Sequence, residues 1–111
     1  MKIYITGISG FLGINLVRYL LEQGYTEIAG IDLAAFSGPE RDKIAFLQGD
    51  IRKPEDVRRG MAGAEVVIHT AAALPLYPVE DIYSTEVEGT RVVLQQALEC
   101  GVKRVIHIST T

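Results

Sequence analysis

The sequence predicts an α/β domain in which helices cover both faces of one parallel sheet. Short apolar runs alternate with amphipathic segments along the whole chain, and one run, Val66–Ile68, is continuous, as in strands buried on both faces. Strands separated by helical segments are joined by right-handed crossovers and run parallel. We therefore expect a three-layer, doubly wound sheet of five strands in the order 3-2-1-4-5.

The first half of the chain supplies two strands and a long helix. Residues 2–6 are rich in β-formers and predict the first strand, while residues 11–23 predict a helix that ends before a glycine, as helices often do. The apolar residues of this helix recur at helical spacing: Leu12, Leu16, Tyr19 and Leu20. Residues 27–31 predict the second strand, and a turn at 37–39 interrupts the looser segment that follows.

A third strand and a short helix are predicted next. The strand covers 44–48, and the helix covers about 54–61. Pro54 is favourable in the first turn of a helix, and the carboxylates of Glu55 and Asp56 complement the positive end of the helix dipole.

The last third of the chain repeats the alternation. A fourth strand is predicted over 66–71, a proline-containing loop over 74–78, a long helix over about 80–100, and a fifth strand over 104–109, after which the sheet is truncated. The long helix has an apolar stripe: Tyr83, Val87, Thr90, Leu94 and Ala97. Burial in the core is the simpler interpretation of this stripe, and a dimer surface is the alternative.

Composition excludes several classes of protein. Hydrophobic residues make up 48% of the 111 residues, which indicates one packed domain over 1–111 rather than disorder. The net charge of -3 and the scattered basic residues argue against nucleic-acid binding, and no apolar run has the roughly 18 residues of a membrane helix. A single cysteine, Cys100, excludes an internal disulfide, so we expect a cytoplasmic protein.

Three glycines between the first strand and the first helix are typical of a dinucleotide site. Gly7, Gly10 and Gly13 lie three residues apart, where glycine permits a tight turn, close approach of a pyrophosphate and close helix packing. The phosphates are expected at the helix N-terminus, on unpaired N–H groups. An ordinary glycine-rich turn is the alternative. The cofactor-binding residues predicted here are Gly7, Ser9, Gly10, Phe11, Leu12 and Gly13.

Asp32 indicates which dinucleotide binds. It follows the second strand, 19 residues after Gly13, where a carboxylate accepts hydrogen bonds from the adenosine ribose and repels a 2′-phosphate. No basic residue directly follows it, so NAD is favoured over NADP. The alternative is an aspartate that simply ends a strand.

Further motifs follow the glycine turn in a characteristic order: Gly49-Asp50-Ile51, His69-Thr70-Ala71-Ala72, Glu88-Gly89-Thr90 and His107-Ile108-Ser109-Thr110. With the Gly-x-x-Gly-x-x-Gly turn they resemble the extended short-chain dehydrogenase/reductase family, the NAD-dependent nucleotide-sugar epimerases and dehydratases of Rossmann fold. The resemblance covers the whole chain.

The resemblance implies roles for residues at the other strand ends. Asp50 would accept from the adenine amino group and Ile51 would pack on its ring. Ala71, Ala72 and Ala73 would line the nicotinamide ribose, although strand-end packing is an equal alternative. Ser109 would contact the cofactor, and Thr110 would be the catalytic hydroxyl that stabilises charge on the substrate oxygen; a polar residue ending a strand is the alternative.

Two departures from the family pattern limit the functional prediction. Glu86 stands where the family has Asn, and no tyrosine has a lysine four residues on, so the family's Tyr-x-x-x-Lys acid/base pair is missing. We therefore expect the amino-terminal part of an enzyme, inactive by itself. His69, His107 and Cys100 lack metal-ligand spacing, so core or strand-end roles are predicted and no metal site.

The resemblance implies the NAD-binding portion of a nucleotide-sugar epimerase/dehydratase-type oxidoreductase, which in the full-length enzyme transfers hydride at a sugar carbinol of a small-molecule substrate. The first alternative is a hydroxysteroid dehydrogenase or carbonyl reductase. The second is a non-catalytic NAD-binding module.

Overall fold

The computed structural model describes residues 1–70 and 87–108. Within this part of the chain, five parallel strands form one sheet in the order β3-β2-β1-β4-β5, which confirms the predicted topology. The strands are β1 Lys2–Thr6, β2 Glu27–Asp32, β3 Ala45–Gln48, β4 Val66–His69 and β5 Arg104–His107.

Three α-helices are described, and each lies within or close to a predicted range. They are α1 Phe11–Glu22, α2 Pro54–Met61 and α3 Gly89–Glu99. The turn predicted at 37–39 leads into a short 3-10 helix, Pro39–Lys43. No helix among the described residues is long and apolar enough to cross a membrane.

Two apolar clusters lie on opposite faces of the sheet and make the fold three-layered, as predicted. On one face, residues of α2 and α3 such as Val57 and Val93 pack against Tyr4 and Val67 of the strands. On the other face, Val17 and its neighbours on α1 pack against the alternate strand residues. The period-two alternation of the strands thus assigns each side chain to one cluster.

The buried faces of α1 and α3 differ from the predicted stripes. Leu94 is 50% exposed and Val87 45%, whereas Val92, Val93 and Ala97 are buried, so the prediction that the stripe lies in the core is wrong for Leu94 and Val87. The reason is a close approach at Gly89: a Cβ there would lie 2.3 Å from Ile51 Cδ1, so the Gly89 side of α3 must face inward.

Close packing at a glycine also determines which face of α1 is buried. Tyr19 is 58% exposed and Leu12 37%, while Val17 and Leu20 are buried. The buried Gly13 faces the turn before the helix at a distance that no side chain would allow, and this contact selects the inward face.

Candidate nucleotide-binding site

The candidate site lies where β1 and β2 end and α1 begins. Gly7 directly follows β1 and has φ 69°, a left-handed conformation that favours glycine. Its N–H donates to the carbonyl of Ile31 (2.9 Å), and the N–H of Ile8 donates to the same oxygen (3.4 Å). These bonds hold the turn against the end of the neighbouring strand.

The other two glycines of the turn have different structural requirements. A Cβ on Gly13 would lie 2.5 Å from the Gly7 carbonyl oxygen and 2.6 Å from Ile8 Cα, so packing requires glycine there. A Cβ on Gly10 would meet only the Gly7 oxygen, at an ordinary 3.4 Å, and Gly10 has φ -77°. The fold therefore does not require glycine at position 10, which leaves its exposed surface open to a ligand.

Main-chain donors are available beside Gly10. The first bond of α1 runs from the Ile14 N–H to the Gly10 carbonyl (2.9 Å), and no side chain in the described part of the chain caps the helix. Among the described residues, none accepts a hydrogen bond from the N–H of Phe11, Leu12 or Gly13. Three such donors at the positive end of a helix are able to donate hydrogen bonds to an anion.

Two side chains of this segment, those of Phe11 and Ser9, differ in their exposure. The Phe11 ring is 88% exposed. Ser9 Oγ is buried and has no hydrogen-bond partner among the described residues. The structure thus brings the residues predicted for the turn together at the start of α1.

Asp32 lies beside the turn, as its predicted role requires. Its Oδ2 accepts from the Ser9 N–H and its Oδ1 from the Ala34 N–H, both at 3.0 Å. A carboxylate offers about four lone-pair directions, so two remain for ribose hydroxyls. The first basic residue after Asp32 is Arg41, whose guanidinium stacks over the Phe46 ring at 5.1 Å.

Asp50, predicted to bind adenine, already has a partner at the end of β3. Its carboxylate accepts from Arg52 Nη2 at 2.7 Å, from Nε at 3.0 Å and 3.1 Å, and from the Arg52 main-chain N–H at 2.9 Å. The side-chain bonds from Arg52 hold the pKa of Asp50 below its usual value. The sequence did not predict Arg52 as the partner of Asp50. The spacing of two residues between a carboxylate and a guanidinium is the sequence feature that permits this ion pair.

Ile51 is less accessible than its predicted role suggests. Only 5% of the residue is exposed, and its side chain packs in the α2/α3 cluster against Gly89. The stacking of Ile51 on an adenine ring therefore stays a prediction, and little of its surface is free for that contact.

His69 is a core residue at a strand end, in agreement with the sequence prediction. It is 2% exposed, its Nδ1 shares a hydrogen bond with Thr6 Oγ1 (2.6 Å), and its Nε2 shares one with Thr90 Oγ1 (2.9 Å). Burial, and secondarily the nearby His107, lowers the pKa of His69 to about 4. The only sequence signal for the Thr6 partner is the alternation of side chains along a strand. It places Thr6 on the same face as Tyr4, and His69 on the same face as Val67.

The remaining predicted site residues lie outside the described part of the chain. They are Ala71, Ala72, Ala73, Ser109 and Thr110. Their contacts with the cofactor, and the catalytic role of Thr110, stay predictions. Glu86, the departure from the family pattern, also lies outside the described residues.

Comparison with known proteins identifies the family. The model of the NAD-dependent epimerase/dehydratase family matches residues 3–111, so the chain belongs to this family and the predicted resemblance is confirmed.

Individual relatives come from several branches. A 3-beta-hydroxysteroid dehydrogenase of Mycolicibacterium neoaurum is 32% identical over 98% of this chain and 32% of its own length. A short-chain dehydrogenase/reductase superfamily protein of Agrobacterium tumefaciens, solved with bound NAD, superposes with a TM-score of 0.87 at 26% identity over 99% of this chain and 33% of that one.

A UDP-glucose 4-epimerase of Thermotoga maritima, solved with UDP-glucose, superposes with a TM-score of 0.84 at 28% identity, over 99% of this chain and 38% of that one. The chain thus spans about a third of the length of these relatives.

Proposed function

We propose that this chain is the NAD-binding portion of an oxidoreductase of the nucleotide-sugar epimerase/dehydratase type. The observation that supports it most directly is the set of three N–H groups at the start of α1, on Phe11, Leu12 and Gly13, without acceptors among the described residues. They lie next to Gly10, a position at which the packing of the fold does not require glycine. A backbone arranged in this way suits the pyrophosphate of a dinucleotide.

The neighbouring side chains extend the proposed contacts to the rest of the cofactor. Asp32 would accept hydrogen bonds from the adenosine ribose with the lone pairs that Ser9 and Ala34 leave free. Asp50, held by Arg52, would accept from the adenine amino group. The Asp32 carboxylate would repel a 2′-phosphate, and no basic residue directly follows it in the sequence, which favours NAD over NADP.

Hydride transfer at a sugar carbinol is the reaction we propose for the whole enzyme. Bound NAD supplies the hydride acceptor, and the Thr110 hydroxyl would bind the substrate oxygen. The family's Tyr-x-x-x-Lys pair does not occur in these 111 residues. The chain by itself should therefore show no turnover, and turnover with any sugar nucleotide would contradict this proposal.

A steroid or carbonyl substrate is the second candidate, favoured by the 32% identical 3-beta-hydroxysteroid dehydrogenase. Both candidate functions need the same cofactor site. The residues that contact the substrate would distinguish a nucleotide-sugar enzyme from a steroid or carbonyl enzyme. A small-molecule substrate is proposed in either case, and pairing of two copies through the exposed side of α3 remains a proposal.

Titration calorimetry of the 111-residue chain tests the cofactor proposal. We expect saturable 1:1 binding of NAD and weaker binding of NADP. No binding of NAD would refute the proposed function, and equal affinity for the two dinucleotides would refute the role given to Asp32.

A further inference from the structure

Three polar side chains form a row across the carboxyl ends of the strands. Thr6 of β1, His69 of β4 and His107 of β5 are partners in the sheet register. The His69 ring lies 5.2 Å from the His107 ring, centroid to centroid. His107 is exposed, whereas Thr6 is 0% and His69 2% exposed, so the inner two must find partners inside the protein.

His69 satisfies this need by joining three elements. Its Nδ1 binds the Thr6 hydroxyl of β1, and its Nε2 binds the Thr90 hydroxyl in the first turn of α3. The Thr6 hydroxyl also accepts the Thr70 N–H at 3.1 Å, and the Thr70 hydroxyl donates to the Thr6 carbonyl. β1 and β4 are therefore tied together by side chains as well as by the sheet.

The location of the two threonines connects this network to the cofactor site. Thr6 directly precedes Gly7, the residue whose positive φ starts the glycine turn. Thr90 follows Gly89, whose close packing on Ile51 sets the orientation of α3. One imidazole thus links Thr6, which precedes the glycine turn, to Thr90, which follows the glycine packed on Ile51.

We infer that His69 is a positioning residue for the nucleotide site, which holds Thr6, and through it the glycine turn, by its Nδ1 hydrogen bond. The inference rests on the proposed binding of NAD. Because burial keeps His69 neutral, one ring nitrogen donates and the other accepts, and the two threonine hydroxyls, which can each donate or accept, satisfy both.

Two amide substitutions separate the two hydrogen bonds. The amide of His69→Asn reaches the place of Nδ1 and keeps the bond to Thr6, whereas the amide of His69→Gln reaches the place of Nε2 and keeps only the bond to Thr90. We expect NAD affinity within threefold of the original for His69→Asn, and a roughly tenfold loss for His69→Gln. Equal losses in the two variants, or no loss in either, would overturn the inference.

An NMR measurement on the protein without NAD keeps this test independent of the proposed function. The N–H resonances of Gly7 and Gly10 should move in His69→Gln and stay in place in His69→Asn. If they follow this pattern while NAD fails to bind the original chain, the proposed function fails and the positioning role stands. If NAD binds all three proteins alike and the resonances do not move, the positioning role fails.

A second pair of variants serves if His69→Gln does not fold. Thr6→Val removes the hydroxyl on the turn side, and Thr90→Val removes the hydroxyl on the α3 side. The Gly7 and Gly10 resonances should move in Thr6→Val and remain near their original positions in Thr90→Val. The reverse order would overturn the inference.

Discussion

The two ends of the candidate cofactor site are built on different principles. At the glycine turn, side chains are absent where the backbone must approach a ligand, and the N–H groups of Phe11, Leu12 and Gly13 have no acceptor among the described residues. At the end of β3, the candidate groups are already engaged, since Asp50 binds Arg52 and Ile51 is buried under Gly89.

This difference predicts an unequal division of binding free energy. Unpaired N–H groups at a helix N-terminus can donate to a phosphate without first breaking a hydrogen bond within the protein. A carboxylate that is shared with an arginine gains less from one more hydrogen bond. We therefore expect the phosphate end to dominate affinity and the adenine end to make a smaller contribution.

Gly13→Ala should have the largest effect on the phosphate end. The new Cβ would lie 2.5 Å from the Gly7 oxygen and 2.6 Å from Ile8 Cα, and these backbone atoms cannot yield without moving the turn. We expect a loss of about 3 kcal/mol or more in the free energy of unfolding, with loss of NAD binding. Urea denaturation and calorimetry measure the two quantities.

Gly10→Ala is the matched control for that substitution. Its Cβ meets only an ordinary 3.4 Å contact, so stability should change by about 1 kcal/mol or less, while the methyl group obstructs the phosphate and weakens NAD binding. A Gly10→Ala protein as unstable as Gly13→Ala would contradict the distinction between the two glycines.

The pH dependence of stability tests the network beneath the turn. The pKa of His69 is about 4 in the folded protein and near 6.5 when unfolded, so between these values the unfolded chain binds more protons. Stability should therefore fall as the pH is lowered from 7 to 4, with His69 contributing up to about 3 kcal/mol of the change.

The same measurement on His69→Asn provides the comparison, since this variant removes the titrating group but keeps the amide near Thr6. The loss of stability on acidification should be smaller than in the original protein. Identical pH profiles would show that His69 is not held neutral by burial.

Asp32→Ala should alter selectivity more than affinity. The substitution removes the repulsion of a 2′-phosphate together with the acceptors for ribose, so the ratio of NADP to NAD dissociation constants should fall by about tenfold, equivalent to 1.4 kcal/mol. Calorimetry with both dinucleotides measures this ratio. An unchanged ratio would mean that Asp32 only caps the Ser9 and Ala34 N–H groups.

Asp50→Ala should have the smallest effect on binding. Since Arg52 occupies both carboxylate oxygens, we expect NAD affinity to fall by about threefold or less. Arg52→Gln, the control, should raise the pKa of Asp50 toward its ordinary value, as measured by NMR titration. A loss of affinity in Asp50→Ala larger than in Gly10→Ala would reverse the proposed order of the two ends.

The sequence predicted the backbone of this molecule well because the relevant signals are local. The apolar runs, the glycines and Asp32 are each recognised from neighbours a few residues away. Together they predicted the strand order and helix positions that the structure shows, and they placed the candidate site at the end of β1. Family resemblance added Asp50 and Ile51, which no spacing rule would have identified.

The sequence did not predict which helix faces are buried or which side chains pair across the fold. Leu94 and Tyr19 match a helical stripe, yet close packing at Gly89 and Gly13 rotates both helices and leaves them exposed. The Thr6–His69–Thr90 chain joins residues far apart in sequence and depends on strand register. Such contacts follow from tertiary packing and leave only a weak local trace.

NMR titration of the chain with NAD tests the central claim most directly. The claim is that the N–H groups at the start of α1, which have no acceptor among the described residues, donate hydrogen bonds to the cofactor phosphates. The largest amide shifts should then fall on Phe11, Leu12 and Gly13, with smaller ones near Asp50. Shifts centred elsewhere, or none at saturating NAD, would contradict it.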